Sequence, residues 1–423
     1  MKSFAYILLY CLFAILACCA CAGAGERANV IVAAHGEGDF RSIQEALDSV
    51  GTHQSKPVVI LIRGGLYNEK LFIRKSHVTL VGEDRESTRI VYAELRENWS
   101  KEHGGSDWGS GVVNIDTGVT DLTLANLTVY NNYGWKNGVF NKHQFAVRGA
   151  GSRIMLLCCS VISDGGDALS LWNRENGMYY HSDCVFEGWV DFVCPRGWCY
   201  ITNSRFFGHN KPSASIWHDG SGNKNQKFVI RDSYFDGVPG FPLGRNHLDA
   251  LIYLLDCRFS QNMANRPFYR PPSSPREWQW GARHYFHNCH REGGDFDWFK
   301  DNLESAESSP GAGTITAQWT FDNQWDPEAS MPSVLPFAFL PHPQRNTPDV
   351  SPDGVRLDWV SGRNAAAHNV YFGKNNPPEF KGRQNEPSFN PGKLEAKTTY
   401  FWHVDEVTDT GVVPGELWTF HTK

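Results

Sequence analysis

A four-residue phrase returns along the middle of the chain and narrows the fold more than any other feature. It reads AsnLeuThrVal at 126–129, CysCysSerVal at 158–161, AspCysValPhe at 183–186 and AsnSerArgPhe at 203–206. It continues as AspSerTyrPhe at 232–235, AspCysArgPhe at 256–259 and AsnCysHisArg at 288–291. Most of these phrases close an alternating apolar run, such as LeuThrLeuAlaAsnLeuThrVal or PheValIleArgAspSerTyrPhe, and alternation is the period of a strand. The returns are unequal, 20 residues from Cys184 to Ser204 and 32 from Leu127 to Cys159. A coil of fixed size carrying loops of variable length gives that pattern, so the spacing predicts an all-β chain wound as a parallel β-helix. Equivalent positions then stack. Leu127, Cys159, Cys184, Ser204, Ser233, Cys257 and Cys289 form an internal ladder in which the thiols act as small packing groups.

A coil of this kind has open ends that need covers. Phe40, Ile43, Ala46, Leu47 and Val50 recur at helical spacing, and Ser42 with Glu45 fits a capping box, so residues 39–50 are expected to form a helical cap. Strand-like runs follow at 57–63 and 77–81. The proline-dense stretch 335–350 predicts a stiff extended linker. Beyond it, 351–423 holds short alternating strands between regular turn signals, which predicts an antiparallel β-sandwich. TyrPheTrpHisValAspGlu at 400–406 and TrpThrPheHisThr at 418–422 resemble a fibronectin type III-like module of secreted bacterial carbohydrate-active enzymes.

The first 24 residues read as a signal peptide: Lys2, an apolar run from Phe4 to Ala22, and small residues around Ala22-Gly23-Ala24. An uncleaved anchor or a lipid-anchored Cys18 are the alternatives, and export is the expectation in each case. Four of the eleven cysteines lie in that leader, leaving seven, so at least one thiol is unpaired within the chain. Cys194 and Cys199 bracket ProArgGlyTrp and are read as packing thiols or a short disulfide. A net charge of −6 gives no reason to expect a nucleic-acid partner.

Two aspartates carry the chemical reading. Asp167, in GlyGlyAspAlaLeu, follows the Cys159 phrase, and Asp191, in GlyTrpValAspPheVal, follows the Cys184 phrase. They lie one coil apart, and stacked rungs are separated by ~4.8 Å. Two carboxyls at that distance shift each other's pKa, leaving one acid and one nucleophile or base. Ordinary surface aspartates on loops are the other reading of the spacing.

Residues 29–300 resemble the pectin methylesterase family, and 29–334 are taken as that domain. ValAlaAlaHisGlyGluGlyAspPheArgSerIleGlnGluAlaLeu is similar to the family's first strand and capping helix, and GlyLeuTyrAsnGlu at 65–69 to its GxYxE motif. The resemblance implies a right-handed, pectin lyase-like β-helix acting on the methyl esters of a uronate polymer, without metal or cofactor. LysHisGlnPheAlaVal at 142–147 implies Gln144 as an oxyanion donor. GlyAspAlaLeu at 166–169 implies Asp167 as acid and base, and GlyTrpValAspPheVal implies Asp191 as nucleophile. LeuGlyArgAsnHis at 243–247 implies Arg245 as the active-site arginine and His247 at the family's substrate-stacking tryptophan. Trp189 is expected to bind sugar, and Trp172 and Trp198 also flank the aspartates. The family's second oxyanion glutamine is Gly166 here, and three extra residues around TrpAsnArgGluAsn separate the aspartates. The lost amide is expected to limit catalysis unless Asn173 or Arg174 replaces it.

The leading expectation is a secreted pectinesterase, monomeric, with pectin as partner and no membrane span in the mature chain. The alternatives are a weakly active or inactive polysaccharide-binding β-helix and a calcium-dependent pectate lyase. His284, His287 and His290, at three-residue spacing, are expected to scatter over different faces and not to hold a metal.

Overall fold

A computed structural model describes residues 30–51, 57–217, 219, 223–329, 331–343 and 345–423. The expected leader at 1–24 lies outside these residues. From Val30 to Arg291 the chain winds as stacked coils forming three parallel sheets. One full coil runs through strand Ser152–Leu157 of the first sheet, Ser160–Ser163 of the second and Leu169–Trp172 of the third. The next coil follows in register, with Ile154 beside Tyr179, Ser160 beside Val185 and Leu169 beside Val193.

The recurring phrase is the corner between the first and second sheets. Its first residue is left-handed in every turn: Asn126, Cys158, Asp183, Asn203, Asp232, Asp256 and Asn288 have φ between 48° and 55°. Asn and Asp tolerate that region better than other residues with a Cβ, which explains why six of these seven corners carry them. The second residue points inward. The thiols of Cys159, Cys184, Cys257 and Cys289 and the hydroxyls of Ser204 and Ser233 each donate to the carbonyl two residues before. Phe186, Phe206, Phe235 and Phe259, at the fourth position, stack through the interior with centroids 4.3–5.5 Å apart. All seven described cysteines are free, Cys194 and Cys199 included.

Helix Ile43–Ser49 covers one end, burying Ile43, Ala46 and Leu47. Ser42 caps it by accepting from the Glu45 amide. The second cap comes from far along the chain: Glu69 accepts from the Ser42 hydroxyl and the amides of Ile43 and Gln44. A carboxylate at a helix N-terminus satisfies amides that lack intrahelical partners. Phe299 closes the other end of the aromatic stack, 5.3 Å from Phe259.

Residues 335–350 do not run as a free linker. Val334, Leu335 and Phe339 are buried with Leu303, Ile315, Ala317 and Phe321 on the outer face of the first sheet, against Leu157, Tyr200, Val229 and Leu255. Trp198 belongs to this packed face, not to a sugar groove. The C-terminal unit begins within the expected linker, where strand Phe339–His342 pairs with Leu357–Val360. Its two sheets enclose Leu357, Trp359, Val370, Phe372, Trp402, Val404, Trp418 and Phe420. Pairing there is antiparallel apart from Thr347–Val350, which runs parallel to Trp418–Thr422.

The apolar strap predicts a difference between two truncations. A chain ending at residue 343 keeps the strap and is expected to stay soluble with native-like β-sheet circular dichroism. One ending at residue 300 uncovers the first sheet and is expected to bind a hydrophobic dye and precipitate.

Candidate active site

Asp167 and Asp191 each lie two residues before a strand of the third sheet, Leu169–Trp172 and Val193–Arg196. Leu169 pairs with Val193, so the aspartates hold equivalent positions on successive coils. Both take left-handed backbone, φ 57° and 46°, and the amides are used for stacking: Asp167 donates to the Val190 carbonyl and Asp191 to that of Ala214. The next coils bring Ile216–Trp217 and then Gly244–Arg245 into the same sheet, with Trp217 beside Arg245. Arg245 reaches back to Asp191, its Nε 3.1 and 3.2 Å from the two carboxylate oxygens and an Nη 2.6 Å from Oδ2.

The two carboxyls are both buried and electrostatically distinct. Burial pushes Asp191 up to about 7, with Arg245 pulling it down and Asp167 pushing it further up. Burial also raises Asp167, which has no ion-pair partner among the described residues; the Ser170 hydroxyl lies 3.5 Å from its Oδ2. One carboxyl is thus held by a guanidinium and the other is raised by burial without one, an asymmetry that suits one nucleophile and one acid.

The Gln144 amide is tied to backbone through both its oxygen and its nitrogen. Its side chain is buried, its Oε1 accepts from the Gly134 amide at 3.0 Å and its Nε2 donates to the Val139 carbonyl at 2.7 Å. These bonds hold the segment carrying helix Tyr133–Asn137. Gly166 has no space for a longer residue, since an added Cβ would lie 2.6 Å from Val190 Cγ1 and 2.8 Å from the Val190 carbonyl oxygen. Asn173 and Arg174 do not replace the amide. Asn173 Oδ1 accepts from the Asn176 amide, closing the inserted turn, and Arg174 pairs with Asp219.

His143 was not singled out by sequence reasoning. Its backbone bridges to Gly166, its half-exposed side chain is 3.3 Å from Glu97, and its charge acts on both aspartates. The signal lay in alternation: with Gln144 turned inward, its neighbour turns out. Trp189 is half-buried between Phe140 and His209, with centroids 5.2 and 5.8 Å away. Phe140 is 43% exposed beside it, and Trp135, on the helix before Phe140, is 79% exposed. His247 meets Trp217 edge-on at 4.7 Å. His284 is half-buried and desolvation lowers its pKa to about 4, His287 faces Asp301 and His290 faces Asp295. No metal-binding cluster is found among the described residues.

Residues 29–231 match the family model described as Pectinesterase. A probable pectinesterase/pectinesterase inhibitor 58 of Arabidopsis thaliana is 27% identical over 233 residues, 51% of this chain and 37% of its own length. The pectinesterase of Petunia integrifolia is 29% identical over 181 residues, 42% of this chain and 44% of its own. The chain therefore spans less than half the length of these relatives. A solved pectin methylesterase in complex with a hexasaccharide superposes with a TM-score of 0.58 at 20% identity, covering 72% of this chain and 99% of that one, a likeness of fold.

The crowding at Gly166 yields a stability prediction. Gly166→Gln is expected to destabilise the protein by about 1–3 kcal/mol through overpacking against Val190, read as a lower denaturant midpoint. Gln144→Ala is expected to cost about as much by leaving the Gly134 amide and the Val139 carbonyl unpaired.

Proposed function

We propose that this chain is a pectinesterase that removes methyl esters from pectin, releasing methanol, a reading supported by the match of residues 29–231 to the Pectinesterase family model. The observation that carries the reading is the stacked pair Asp167 and Asp191 with Arg245 on the second carboxylate. Arg245 orients the Asp191 carboxylate for attack on the ester carbonyl carbon. Collapse of the tetrahedral intermediate breaks the bond to methoxide, which takes the Asp167 proton and leaves as methanol. The remaining acyl group is joined to Asp191 as an anhydride. Asp167, now ionised, accepts a proton from water as the water attacks, and the free uronate and both carboxyls are restored.

The developing oxyanion needs a donor; Gly166 has no side chain to give one, and one hydrogen of the Gln144 amide is taken by the Val139 carbonyl. His143, whose charge acts on both aspartates, is the further donor we assign to this role. The aromatic side chains of Trp135, Phe140 and Trp189 give sugar rings apolar faces to lie against. Export rests on the leader at 1–24, and pectin outside the cell fits it. A polysaccharide-binding coil with little turnover is the second reading, favoured by the commitment of the Gln144 amide to backbone.

Methanol release from esterified pectin separates the two readings. Asp191→Asn is expected to lower kcat by roughly 10³-fold or more. Asp167→Asn is expected to lower it by about 10²–10⁴-fold with KM little changed. Wild-type rates in both variants would remove the aspartates from the mechanism. The pH profile gives a second check. Asp191 must be ionised, so kcat/KM is expected to rise through about pH 7 with a one-proton slope. Removing the cation that lowers this pKa, in Arg245→Gln, should move the rising limb to higher pH. A limb that stays in place would show that another group titrates.

A further inference from the structure

Close to the aspartates, along the same strands, the third sheet carries a wall of alternating guanidinium and indole groups. Arg148 lies over Trp172 at 4.2 Å, Arg196 over Trp172 at 3.4 Å, and Arg196 over Trp217 at 4.7 Å. Register explains the order. Arg148 stands beside Ser170 on the next coil, and Trp172, two residues further along that strand, stands beside Arg196. Arg148 comes from the coil on one side of Trp172 and Arg196 from the coil on the other, so the indole is covered from both neighbouring coils.

This wall, the inserted turn and Thr117 bound a hollow of about 520 Å³. The turn after Trp172 is fixed by the Gly177 amide on the Asn173 carbonyl, 2.9 Å, and the Asn173 amide on the Tyr179 hydroxyl, 3.0 Å. It delivers Arg174 to the opening, half-exposed. The lining therefore holds three guanidiniums against the single carboxylate of Glu175. Asp107, paired with Arg148, and Asp219, shared by Arg174 and Arg196, do not line the hollow. Among the described residues two carboxylates partner the three guanidiniums, and buried donors at Arg148 Nε and Trp172 Nε1 have no acceptor. An anionic ligand completes this arrangement. With the indole already covered by arginine, the hollow reads charge and not the face of a sugar ring.

We propose that this hollow is a carboxylate subsite holding an unesterified uronate unit of the polymer whose esterified unit sits at Asp191. Ser170 touches Asp167 and lies two residues before Trp172, so subsite and carboxyl pair share one strand. The identity of the polymer rests on the preceding reading; the anionic subsite rests on the arginines.

Calorimetry on the full chain tests it with two probes, an unesterified galacturonate oligomer and its fully methyl-esterified counterpart. Arg174→Ala, on an exposed turn, is expected to weaken the acidic oligomer roughly 10- to 100-fold. Binding of the esterified oligomer should be unchanged, the wild-type affinity for the acidic oligomer should fall with salt, and Arg174→Lys should recover part of the loss. Failure of the wild type to bind the acidic oligomer, equal effects on the two oligomers, or no effect of Arg174→Ala would overturn the subsite. Binding needs no turnover. A wild type that holds the acidic oligomer through Arg174 yet releases no methanol would overturn the esterase reading and keep the subsite.

Discussion

Coil-on-coil register governs everything that this chain places in its site. From Asn126 to Asn288 seven successive coils turn their first corner at a left-handed residue, and each of those corners sets where the following inward residue falls. Asn126 shows how the corner is locked: its side-chain amide donates to the carbonyls of Gly82 and Glu83 on the neighbouring coil, both at 3.1 Å. Below it the thiol and hydroxyl ladder ties back to backbone, and the phenylalanine stack fills the centre. A one-residue slip would turn every inward side chain outward. Asp167 and Asp191 stand one above the other because both inherit the same offset from that register.

The aspartates also show why a rigid scaffold is needed. A buried carboxylate is costly unless it is paired, and two on adjacent rungs oppose each other's ionisation. Arg245, one coil beyond Trp217, offsets that cost for Asp191 alone. Asp167 is left with a distant hydroxyl and a raised pKa. Neither state would persist on a loop free to rotate its carboxyl into water. The backbone of both aspartates is held in a sparsely populated region by amide bonds to the next coil, so the strain is borne by the stack.

Much of this was legible in the sequence, for a physical reason in each case. The corner phrase was visible because left-handed backbone selects Asn and Asp and the interior position selects small residues. The capping helix was visible in its apolar spacing, whereas its second cap, Glu69, was not, because its partner lies 27 residues away from Ser42. The direction of Gln144 was hidden: motif position places a residue on a strand, but not the loop amides that draw its side chain inward. Gly166 looked like a deletion of function, yet the nearby Val190 shows that the space itself is filled. The proline-rich stretch read as a spacer because proline density reports backbone stiffness and says nothing of Leu335 and Phe339 packing sideways. Trp172 and Arg196 fell on one wall only through register across coils of unequal length.

The central claim is that Asp191 bonds covalently to substrate while Asp167 moves the proton. Acid-quenched mass spectrometry of the Asp167→Asn protein with an esterified oligomer addresses this directly. Slow deacylation should let the intermediate accumulate, and the peptide containing Asp191 should gain the mass of the oligomer less methanol. Methanol appearing without any adduct on that peptide would mean that water attacks the ester directly, and the account of Asp191 as nucleophile would be wrong.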